Sequence, residues 1–162
     1  MTIKTDYVQT QNFHIIRFHN DVRYGDVVSL QQFIQSQAPL SKPYIIDLTN
    51  CSHLDSTALG TLALIAKQSR EVELDKPIIF VTQGTLYETI MGVCFDLVFQ
   101  LELVASSPLD QSFSALDESA TASVEKLTEA VTMAHQLLAE ISEENELQFK
   151  DVNRLLTGLA KS

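Results

Sequence analysis

The chain has 162 residues, 45% of them hydrophobic, and 21 acidic against 11 basic side chains give it a formal net charge of −10. That length suits one domain with an appendage or one fairly large domain, and the apolar content excludes wholesale disorder. The charge argues against nucleic acid and against an anionic membrane surface as partners, since both call for clustered Lys and Arg, while a basic protein partner remains compatible.

Residues 3–9 and 13–18 read as two strands, the second rich in aromatic and β-branched side chains: Phe13, Ile15, Ile16 and Phe18. Thr10-Gln11-Asn12 links them. Tyr24-Gly25-Asp26 opens a helix in which Val27, Leu30, Phe33 and Ile34 recur on one face, and Pro39 and Pro43 bound its end. Residues 43–48 are nearly all apolar, as in a strand covered on both faces. After a short turn, a second helix is expected over about 56–70, with Leu59, Leu62, Ala63 and Ala66 inward. Residues 77–82 read as another buried strand, Gln83-Gly84 as a turn, and about 85–93 as a third helix carrying Leu86, Ile90 and Met91. A short strand at 97–102 and a short helix at 107–117, with Phe113 and Leu116, complete this part. Strands alternating with helices imply an α/β fold with a mixed sheet.

From about residue 119 the pattern changes. Val124, Leu127, Val131, Ala134, Leu138 and Ile141 step by three and four, which is a narrow apolar seam on an amphipathic helix. Ser142-Glu143-Glu144-Asn145 interrupts it, and Phe149, Val152, Leu156 and Leu159 form a second stripe. The seam is short for a stable coiled coil, so packing within the chain is expected. The division is then 1–117 for the α/β domain and 118–162 for a C-terminal helical extension.

Leu54 to Gly60 read LDSTALG, placed between the buried strand closed by Asp47 and the second helix. The segment, in that position and element order, resembles the signature of STAS domains, the fold of anti-sigma factor antagonists. The resemblance covers roughly residues 1–117. Ala58 departs from it, standing where many members have glycine, and favours a regular first helical turn. The resemblance implies a STAS-like mixed β-sheet covered by helices, and a switch in which a serine kinase phosphorylates Ser56 and a metal-dependent serine phosphatase reverses it. It further implies that the unmodified form binds an anti-sigma factor or similar regulator through Asp55, Ser56, Thr57 and Leu59. The chain would then be a substrate of enzymes and not an enzyme, with no catalytic residues. Apart from any family, a helix N-terminus accepts a phosphate well, and the added charge and bulk disrupt an interface. The plainer alternative is that Asp55 or Ser56 only caps the helix.

Two rival functions stay open: a STAS scaffold subunit of a transporter or larger signalling assembly, without a phosphorylation switch, and a small hydrolase or nucleotide-binding domain. The last lacks a GxSxG elbow near Ser56 and any Gly-rich phosphate loop. His14, His19, His53 and His135 show no metal-ligand spacing, and no metal or other cofactor is expected. Cys51 and Cys94 read as reduced thiols. MTIKTDYVQT has no signal-peptide core, and no apolar run approaches the roughly 20 residues that span a bilayer, so a soluble, cytoplasmic protein is expected.

Overall fold

A computed structural model of the protein describes residues 4–110, 113–115 and 123–160. Thr5–Gln9 (β1) and His14–Phe18 (β2) form an antiparallel hairpin. Asn20–Val22 (β3) leads through a 3-10 turn at Tyr24–Asp26 into Val28–Ser36 (α1). Then come Tyr44–Asp47 (β4), Cys51–Leu54 (β5), Ser56–Glu71 (α2), Ile78–Val81 (β6), Thr85–Gly92 (α3), Gln100–Leu103 (β7) and Ser114–Ala115 (β8). Val124–Ala139 (α4) and Glu143–Ala160 (α5) close the chain.

The main sheet runs β7-β6-β4-β2-β1-β8. Its centre is parallel, with β4 between β2 and β6, and its β1 side is antiparallel. All four residues of β4 are buried, as a strand covered on both faces requires. This is the α/β class, a mixed sheet covered by helices, that the resemblance implied, with the C-terminal helical extension that the apolar seam implied.

One hydrophobic cluster joins sheet residues such as Ile16, Ile46 and Ile79 to Leu62 and Ile65 of α2, and continues into Leu137, Leu138 and Phe149 of the last two helices. The extension therefore shares the core of the preceding domain. The expected boundary at 117/118 lies outside the described residues. Of the expected seam, Ala134 and Leu138 are buried, whereas Val124, at the first turn of α4, is 80% exposed. The buried face of α4 is wider than the seam and includes Ala130, His135 and Leu137, because the helix packs against both α2 and α5. On α5, Phe149 is buried and Val152 is exposed; the side chains of Leu156 and Leu159 lie outside those described.

Three expectations are corrected. The turn expected between the third strand and second helix contains β5, which pairs in parallel with β3 as a separate two-stranded sheet. The strand expected at 97–102 starts at Gln100, because Phe95–Leu97 is a 3-10 turn. No helix occupies the described part of 107–117. There Ser107 Oγ accepts from Leu109 N–H at 3.2 Å and donates to Asp47 Oδ2 at 2.6 Å, a local turn that competes with helix formation. Ser114–Ala115 then pairs with β1 as an extended edge; Leu116 lies outside the described residues.

Candidate functional site

Asp55 is the N-cap of α2, with the extended backbone of a cap. Its Oδ1 accepts from Ala58 N–H at 2.8 Å, and its Oδ2 accepts from Tyr24 N–H at 2.8 Å. One carboxylate thus caps α2 and fastens the turn that precedes α1. Both oxygens are occupied, which fixes the direction in which the first turn of α2 leaves the β3–β5 ribbon.

Ser56, next in the chain, is half-buried. Its Oγ lies 2.6 Å from His135 Nε2 on α4. His135 is 8% exposed, and its ring packs against Phe149 with centroids 5.7 Å apart. Burial pushes this imidazole below its ordinary value, with the nearby Asp55 charge opposing. The Nδ1 atom is buried and has no hydrogen-bond partner among the described residues. Among the described residues no carboxylate orients the ring from that side, as a hydrolytic Ser–His–acid arrangement needs.

Thr57 and Leu59, expected to face a partner, are each 3% exposed. Thr57 C=O accepts from Thr61 Oγ1 at 2.8 Å, and Leu59 belongs to the core. They support the face from beneath, because α2 is covered on one side by the sheet and on the other by α4. Of the four expected residues, only Asp55 and Ser56 retain part of their surface.

What brings His135 to Ser56 is a close helix crossing. A Cβ on Gly60 would stand 2.2 Å from the Ala134 carbonyl oxygen and 2.4 Å from its Cα. Glycine is therefore required where the α4 backbone lies on α2. Gln31 of α1 ties the crossing from the side, its Nε2 donating to Thr61 Oγ1 at 3.0 Å and to Ala130 C=O at 3.1 Å. At the other end, the buried Asn145 donates to Val93 C=O at 2.7 Å and Leu138 C=O at 2.9 Å, pinning the α4–α5 corner to the chain segment after α3. Sequence reasoning weighed His135 only as a metal ligand and Asn145 only as part of a helix break, and had no sign of Gln31. The one signal available was Gly60 itself, a glycine inside a helical stretch, which marks a close approach.

A second polar cluster closes β4. Asp47, with no exposed side-chain surface, accepts from Arg17 Nε at 3.1 Å and from Thr49 N–H at 2.9 Å. Burial pushes its carboxyl up, but bonds from Ser107, Thr49 and Arg17 together outweigh that and hold it below the usual carboxylate range. Arg17 also lies 4.0 Å over the Phe113 ring. The cluster fastens Ser107 and Phe113 to the sheet.

Among the described residues no group of three or more His, Cys, Asp or Glu side chains converges as a metal site. Burial pushes the Cys51 thiol up to about 11, so it is a poor nucleophile at neutral pH. No described helix is long and apolar enough to cross a membrane.

No protein-family model matches the chain, and no curated protein does. Among solved structures, it is similar to an uncharacterized protein from the DUF3478 family with a SpoIIAA-like fold from Shewanella loihica PV-4. Identity is 16%, the TM-score is 0.41, and the match covers 64% of this chain and 86% of that one. A likeness at this level says nothing about function.

Proposed function

We propose that the chain is a non-enzymatic, cytoplasmic switch protein, an anti-sigma factor antagonist of a partner-switching system, controlled by reversible phosphorylation of Ser56. The observation that carries this reading is the setting of Ser56. It is a half-buried hydroxyl in the first turn of a 16-residue helix, directly after an N-cap Asp whose two oxygens are already engaged. The free amides and positive end of that helix favour a phosphate. In the modifying step a serine kinase moves the terminal phosphoryl group of a nucleoside triphosphate to Oγ. The hydroxyl proton is lost and nucleoside diphosphate leaves. A metal-dependent serine phosphatase hydrolyses the ester. The unmodified form binds an anti-sigma factor or similar regulator at the surface around Asp55 and Ser56.

A second reading is favoured by one observation: α4 lies over Ser56, which suits a permanent scaffold in a transporter or signalling assembly. Phosphopeptide mass spectrometry on Pro43 to Lys67, with gel mobility of the protein from cells before and after phosphatase, separates the two. Phosphate on Ser56 supports the switch. Its absence under all growth conditions, or its presence on the buried Thr57 alone, overturns it. For the unmodified form, a regulator captured by Ser56→Ala and not by Ser56→Asp is the expected companion result.

A further inference from the structure

We propose that seating of α4 on α2 and phosphorylation of Ser56 are mutually exclusive, so that the C-terminal hairpin is a resident cover of the switch serine. The proposal rests on Ser56 as a modification site for its biological meaning, but its physical content stands on the packing alone.

With α4 seated, the observed Ser56 rotamer leaves no place for a phosphoryl group on the side that faces His135. Ser56 Oγ and His135 Nε2 are 2.6 Å apart, so a group added to Oγ in this rotamer crowds the imidazole and breaks the contact that seats α4 there. The ring has little room to turn aside, being 8% exposed and packed on Phe149. Nor can the helix slide closer, because the Ala134 backbone already lies where a Gly60 Cβ would be. The remaining direction is outward, off α2. Charge adds to this: a phosphate dianion there would stand beside the Asp55 carboxylate.

The consequence runs both ways. A seated α4 shields the serine from a kinase, and a phosphorylated serine keeps α4 from seating. Linkage makes these one coupling free energy.

The test uses the full chain with phosphoserine installed at position 56 during synthesis, so that no kinase is needed. Hydrogen exchange should show the amides of Ala130–Leu138 losing protection by roughly tenfold or more while β2, β4 and β6 keep theirs. A second arm uses Ser56→Cys and follows alkylation of that thiol by peptide mass spectrometry, apart from Cys51 and Cys94. Adding Gly60→Ala, which favours α2 as a helix but places a Cβ in the α4 backbone, should raise the alkylation rate roughly tenfold or more. Unchanged α4 protection with phosphoserine in place would overturn the proposal, and increased protection would show that His135 clamps the phosphate. An alkylation rate that Gly60→Ala leaves unchanged would overturn it as well. If α4 is released by phosphoserine yet cells never modify Ser56, the cover is real and the proposed function is wrong.

Discussion

His135 and His14 are buried imidazoles, and desolvation lowers both, with Lys42 adding to the effect at His14 and Asp55 opposing it at His135. A histidine held below its unfolded value of 6.5 is neutral in the fold, and the unfolded chain takes up the proton first as pH falls. Stability from these groups is therefore complete above that value and lost as pH drops through it. Urea midpoints should fall between about pH 7 and about pH 5, and His135→Gln should flatten part of the slope. A midpoint independent of pH across that window would contradict the burial of both rings. Asp47 is the other decisive residue. Asp47→Ala leaves Arg17 facing the sheet without its carboxylate, and the expected cost is about 3 kcal/mol, at the low end for a broken buried pair because Arg17 keeps some solvent. Urea titration against wild type measures it.

Along α4 and α5 the same kind of residue has opposite worth. Leu138 is fully buried between helices, so Leu138→Ala should cost about 2–5 kcal/mol. Leu147 is 74% exposed, and Leu147→Gln should stay within about 0.5 kcal/mol of wild type. Thermal melts of the two variants give the contrast. The regular elements were legible in the sequence because each carries its own period: Leu59, Leu62 and Ala66 step around a helix, and the run at 43–48 is too short and too apolar for anything but a buried strand. The β3–β5 ribbon was not legible. NDV and CSHL are short, polar and paired with each other only through the fold. The helix expected at 107–117 failed because its governing contact, Ser107 to Asp47, reaches back 60 residues. LDSTALG located Asp55 and Ser56 at the helix start, but Ser56 meets His135 across 79 residues, a distance that no local pattern encodes.

For the molecule as a whole, the extension is a wall of the core as well as an appendage. A chain ending at Ala115 should keep the sheet, whose strands are held by their own ladder, but should expose the face of α2 that α4 covers. Light scattering should show self-association of that fragment while its sheet amides stay protected. Loss of protection in β4 would mean that the sheet depends on the hairpin. The close crossing at Gly60 also has a kinetic side. The hairpin is covalently joined to the body, and such a linkage presents it at an effective concentration of roughly millimolar order. Under the proposed function, a regulator in solution would have to outcompete that local dose, so weak encounters would be filtered out while the backbone is whole. Cutting the chain between Ala115 and Ser123 removes the advantage while leaving the α2–α4 crossing itself intact. Diluted to nanomolar concentration, the nicked protein should shed its hairpin and the intact protein should not.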